Sequence, residues 1–72
     1  MESGIGRNLR ALREAAGLTR EQLAVKAGRS SATVIRIENG SKHSPNLETL
    51  SALAGALGVT LARLLGDTEA VA

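Results

Sequence analysis

The chain has no cysteine, tryptophan, tyrosine or phenylalanine, and only one proline, one histidine and one methionine. Without cysteine there is no disulfide framework, no thiol nucleophile and no cysteine metal site. The lone histidine, His43, builds no zinc site without carboxylates placed around it. No apolar run approaches the ~18 residues that span a bilayer, so no membrane partner is expected. The start, Met1-Glu2-Ser3-Gly4, has no apolar stretch after a basic opening, so no signal peptide is visible. These absences predict a soluble, cytoplasmic chain, either a whole protein or one compact module. No cofactor is implied.

What is present is 12 Ala and 11 Leu in 72 residues, beside four Val and three Ile. Ala and Leu favour helices, and β-branched residues are too few for sheets, so the core is expected to be helical. An apolar share of 43% suits a globular core and exceeds what disordered chains carry. A chain this short buries only about 60% of its unfolded surface, so it is marginal alone and gains from dimerising. The net charge is +2 but unevenly spread. Residues 1–45 carry eight Lys and Arg against four Glu, a balance of +4. Residues 46–72 carry one Arg against two Glu and one Asp, a balance of −2. Such asymmetry suits one face meeting a polyanion, against the plain alternative of a solvated basic face.

Apolar spacing and stop signals divide the chain into five helices. Ile5, Leu9, Leu12 and Ala16 share one face of the first, which Gly17 ends. Thr19 and Gln22 have capping-box spacing, and Leu18 with Leu23 can staple it, so a second helix runs to about Ala27 and stops at Gly28. Ser30 caps a third, with Val34 and Ile37 inward and Asn39-Gly40 closing it. Residues 41–45 read as a polar loop. Asn46 caps a fourth helix with Leu47, Leu50, Leu53, Ala54 and Leu57 on one side, ended by Gly58. Thr60 caps a short fifth through Leu61, Leu64 and Leu65, ending at Gly66. Residues 67–72 read as a frayed tail.

The informative segment is the pair of helices joined by a turn of three or four residues. So short a turn makes them cross steeply, as in a helix-turn-helix unit. Small Ala24 allows close approach, and Leu23, Ala27, Val34 and Ile37 fill the wedge. The chain here resembles the phage repressor and Cro type of helix-turn-helix domain, the XRE type. The residues that carry the likeness are Leu9-Arg10-Ala11-Leu12-Arg13-Glu14, Gly17-Leu18-Thr19, Glu21-Gln22-Leu23-Ala24 and Val34-Ile35-Arg36-Ile37-Glu38-Asn39-Gly40. It continues through Pro45, Leu47-Glu48-Thr49-Leu50 and Ala56-Leu57-Gly58-Val59. No single piece is specific, but the ordered set over roughly residues 5–66 is. The resemblance implies an all-α, compact five-helix bundle of the lambda-repressor-like type over residues 1–66. It places the helix-turn-helix at about residues 20–39, and implies operator binding as a homodimer and transcriptional control. Three positions depart from the usual pattern: Arg20 for a common Gln, Arg29 for an apolar turn residue, and Ile35 for a polar one.

With Val34 and Ile37 inward, Ala32, Ile35, Arg36 and Asn39 fall on the opposite face of the third helix, with Ser31 and Thr33 on its flanks. In a recognition helix that face meets base edges, so Ser31, Ala32, Thr33, Ile35 and Arg36 are the expected base contacts. Arg36 suits bidentate bonding to guanine, and Ala32 and Ile35 suit thymine methyls. The free N–H groups at the start of the second helix make Thr19 and Arg20 expected phosphate contacts, and the resemblance implies backbone contacts at Arg20, at Asn39 and in the loop after Gly40, where Lys42 and His43 stand. Arg13 and Glu38 lie beside their helices' apolar stripes, and the resemblance implies that they pair. Val59, Leu61, Ala62 and Leu65 are the expected dimer contacts, since so short a helix cannot bury them all against its own core.

Enzymatic activity is not expected, for there is no glycine-rich phosphate loop, no metal spacing and no room for a closed pocket. The rival is a helical protein–protein module using the exposed Ile35 and the last leucines. DNA binding would weaken steeply with salt, whereas apolar docking would not. Within DNA binding, an antitoxin or a restriction–modification controller would add a protein partner to a repressor's chemistry. No ligand-binding domain is seen, so a signal is expected to arrive through a partner, proteolysis or concentration.

Overall fold

The computed structural model describes residues 4–40 and 45–66. Five helices and no strand occur among them: α1 (Gly4–Ala15), α2 (Arg20–Ala27), α3 (Ser31–Glu38), α4 (Leu47–Leu57) and α5 (Leu61–Leu64). The starts follow local chemistry. Thr19, Ser30, Asn46 and Thr60 sit in extended backbone, and each side-chain oxygen accepts the N–H three residues on. At α2 the box is complete: Gln22 N–H donates to Thr19 Oγ1 (3.0 Å), and Thr19 N–H donates to Gln22 Oε1 (2.8 Å).

The core takes one fully buried side chain from each helix: Leu9, Leu23, Val34, Leu53 and Leu64. Ala24, Ile37, Leu50 and Ala54 complete the buried cluster. Ile5, Leu12, Ala27, Leu57 and Leu61 pack half-buried against it, whereas Ala16, Leu47 and Leu65, also expected on the apolar faces, are exposed. Ala16 is exposed because α1 stops at Ala15, so the helical phase that would turn it inward ends first. Leu47 is 63% exposed, because it is the first residue of α4 and overhangs the bundle.

Residues 28–30 join α2 to α3. Gly28 takes φ 69°, and its N–H reaches back to the carbonyls of Ala24 and Val25. Arg29 N–H then donates to Ala24 O at 2.8 Å, closing the end of α2 and turning the chain sharply. Arg29 is half-buried in the turn, its Nη1 donating to Gly28 O (3.2 Å) and its Nε lying 3.4 Å from Thr49 Oγ1 on α4. The unusual cation in the turn thus faces α4.

Candidate nucleic-acid interface

α3 is held from behind by three kinds of contact. Val34 and Ile37 anchor it in the apolar core. Its C-terminal end lies against bare backbone of α1: a Cβ on Gly6 would come within 2.5 Å of Ile37 O and 3.0 Å of Glu38 O. Only glycine permits that approach. Finally, Arg13 of α1 donates from Nε to Glu38 Oε2 at 2.6 Å and from Nη2 to Oε1 at 3.3 Å. A third bond, Arg13 Nη1 to Leu18 O at 2.8 Å, ties the same guanidinium to the segment before α2.

The Arg13–Glu38 pair is buried, with side chains 9% and 1% exposed. Burial pushes the Glu38 carboxyl toward the neutral acid. The bonds from Arg13 and Arg20 outweigh that and hold its pKa below the usual carboxylate range. The bond to Glu38 in turn raises the Arg13 pKa against its own burial. Glu38 is therefore a charged hub, and no buried side-chain N or O among the described residues lacks a hydrogen-bond partner.

The outward surface of α3 matches the sequence expectation. Ala32, Ile35, Arg36 and Asn39 are exposed, while Ser31 and Thr33 are half-buried at the flanks. Thr33 serves the helix as well: its Oγ1 lies 3.0 Å from Ser30 Oγ, which accepts its N–H. At the start of α2, the capping box occupies the N–H groups of Thr19 and Gln22, leaving those of Arg20 and Glu21 for an outside acceptor. Arg20, expected as a phosphate contact there, donates from Nε to Glu38 Oε1 at 3.0 Å. Its side chain is 44% exposed and lines an open concavity of about 490 Å³ with Thr19, Glu21, Ser31 and Ile35. Spacing alone did not signal this bond, because it joins residues 18 apart. Lys42 and His43 lie outside the described residues.

The four expected dimer contacts divide. Val59 and Leu61 pack against the core, whereas Ala62 and Leu65 are exposed. α5 has only four residues, and Leu64 is the one that is fully buried. Asn8 of α1 holds the end of that helix, donating from Nδ2 to Arg63 O (2.7 Å) and Leu64 O (2.9 Å). Nothing in the sequence pattern pointed to Asn8, a side chain that reaches across 55 residues.

Among the described residues, no group of three or more His, Cys, Asp or Glu is placed to hold a metal, and no helix is long and apolar enough to cross a membrane.

Comparison with known proteins agrees with this geometry. The family model described as "Helix-turn-helix domain" matches residues 5–65. The HTH-type transcriptional regulator RghRB of Bacillus subtilis (strain 168) is 46% identical over 63 residues, covering 88% of this chain and 45% of the relative. The immunity repressor protein of Bacillus phage phi105 is 38% identical over 63 residues, covering 88% of this chain and 43% of the relative. The chain thus spans less than half the length of these curated relatives. Among solved structures, an HTH_3 family transcriptional regulator from Vibrio cholerae superposes with a TM-score of 0.84 at 29% identity, over 96% of this chain and 38% of that one. A phage immunity repressor among the matches agrees with the resemblance read from the residues.

Proposed function

The chain belongs to the helix-turn-helix domain family, and on that premise we propose that it binds duplex DNA sequence-specifically, as a homodimer, and represses transcription by occupying an operator. One observation carries the reading. α3 is fastened on its inner side by Val34, Ile37, Gly6 and the Arg13–Glu38 pair, while Ala32, Ile35, Arg36 and Asn39 are exposed on the other. A helix held rigidly from behind, with its outer face free, is what insertion into a major groove requires.

In this reading Arg36 bonds a guanine through its fork, Ala32 and Ile35 pack on thymine methyls, and Ser31 and Thr33 meet base edges near the start of α3. Thr19 at the start of α2 and Asn39 contact phosphates, with Lys42 and His43 completing the set. One recognition helix reads few base pairs, so two copies bind a palindromic operator with half-sites ~34–36 Å apart. Ala62 of α5 and Leu65 just after it are the exposed apolar residues that a second copy would cover. A protein of this kind works in the cytoplasm, alongside its DNA.

The test is a binding titration on duplex DNA at several salt concentrations, with sequences selected from a random pool. Log K should fall linearly with log salt, with a slope reporting several phosphate contacts per dimer. A flat salt dependence, or no binding at low salt, refutes the reading.

A further inference from the structure

Resting on the reading that α3 enters the major groove, we infer that Arg20 of α2 is a base-reading residue, which presents its terminal guanidinium fork to a guanine beside the bases read by α3. The sequence places Arg20 at a helix start, where a cation usually serves phosphate. The structure gives it a different setting. Its Nε is pinned at 3.0 Å by Glu38 Oε1, while both terminal Nη groups have no partner among the described residues. Glu38 is itself fixed by Arg13 and only 1% exposed at its side chain, so the anchor is rigid.

Two features favour a base over a phosphate. First, the local charge is largely cancelled. Arg13 and Arg20 meet the buried carboxylate of Glu38, and Glu21 lines the same concavity. A phosphate contact draws on net positive charge, which this corner lacks. What survives the pairing is geometry: two N–H donors side by side in the plane that the Nε bond orients, the pattern that matches guanine O6 and N7. Second, Arg20 shares its concavity with Ser31 and Ile35, which occupy one face of α3 at i and i+4. Those are two of the side chains assigned to base edges; Thr19, assigned to phosphate, lines the other side of the concavity, so the guanidinium lies between the backbone contact and the bases that α3 reads. Anchoring Nε also removes rotamer freedom before DNA arrives, which lowers the ordering cost of the contact.

The experiment uses the sequence selected by the wild-type protein. Wild type, Arg20→Lys and Arg20→Ala are titrated on that duplex, on its single-base-pair variants and on random duplex DNA, at several salt concentrations. Lysine keeps a charge beside Glu38 but loses the planar fork. Arg20→Lys should bind the selected site roughly 5- to 100-fold more weakly and lose preference at one G·C pair, different from the pair that depends on Arg36. Its affinity for random DNA and its salt slope should be unchanged, which also certifies a folded protein. Arg20→Ala should lose the same preference. Arg20→Lys retaining every base preference, or Arg20→Ala weakening selected and random DNA alike, overturns the assignment. Wild-type protein that selects no sequence overturns the DNA-binding reading instead, and the two failures are thereby distinguishable.

Discussion

Replacing Glu38 with glutamine tests what holds the recognition helix in place. The substitution keeps the side-chain shape and removes the charge on which Arg13 and Arg20 converge. Arg20 is 44% exposed and can turn to water, so its share is that of a surface pair, below about 1 kcal/mol. Arg13 is only 9% exposed and cannot. Leaving one partner of a buried pair uncompensated costs ~3–5 kcal/mol. The glutamine carbonyl still accepts one bond, which places the loss near ~3 kcal/mol. A domain of this size has roughly 4–11 kcal/mol of stability in all, so the variant should be strongly destabilised. In thermal unfolding followed by far-UV circular dichroism, that corresponds to a Tm lower by roughly 12–24 °C.

The pH dependence gives a second arm. Because the folded-state pKa of Glu38 is lowered, its stabilisation is present above the ordinary carboxylate pKa of 4.5 and is lost as pH falls through the folded value. Wild type and Glu38→Gln should therefore differ fully at pH 7 and converge as pH drops below 4.5. Replacing both charges, Arg13→Met with Glu38→Leu, should cost less than Glu38→Gln alone, since no buried charge is stranded. A loss under about 1 kcal/mol at pH 7, or a gap that does not close in acid, would refute the view that a buried ion pair secures α3.

Three further outcomes are expected. Gly6→Ala forces a methyl to within 2.5 Å of Ile37 O, so denaturant titration should show a loss of ~1–3 kcal/mol, and an unchanged midpoint would mean that α1 does not lean on α3. Arg36→Ala should cost ~1–3 kcal/mol on the selected sequence and relax one base pair, leaving random DNA nearly unaffected; equal losses on both would make Arg36 a phosphate contact. Leu65→Glu places a charge on the free side of α5, so it should abolish cooperative operator binding while helicity by circular dichroism stays near wild type. Sedimentation that finds one protomer protecting a whole operator would end the dimer model.

The caps and stops of the helices were legible because they are local. Thr19 with Gln22, Ser30, Asn46 and Thr60 each bond a backbone group three residues away, and a neighbour that close is fixed by the chain itself. The outward face of α3 was legible for a similar reason: once Val34 and Ile37 turn inward, helical geometry places Ala32, Ile35, Arg36 and Asn39 opposite. Leu47 and Ala16 escaped the same logic because periodicity does not say where a helix overhangs its neighbours.

By itself, then, the sequence determined five helices, the caps that start four of them, the short turn at residues 28–30, and which face of α3 is free. Only the tertiary structure decided what lies behind that face and what stands beside it. Gly6 against Ile37 O, Asn8 on the end of α5, and Arg20 on Glu38 join positions 31, 55 and 18 residues apart. Such pairs leave no periodic trace, because they depend on how whole helices cross rather than on the chain's own repeat. The split among Val59, Leu61, Ala62 and Leu65 has the same origin: packing against the bundle, not hydrophobicity, buried Leu64, left Val59 and Leu61 half-buried against the core, and left Ala62 and Leu65 exposed.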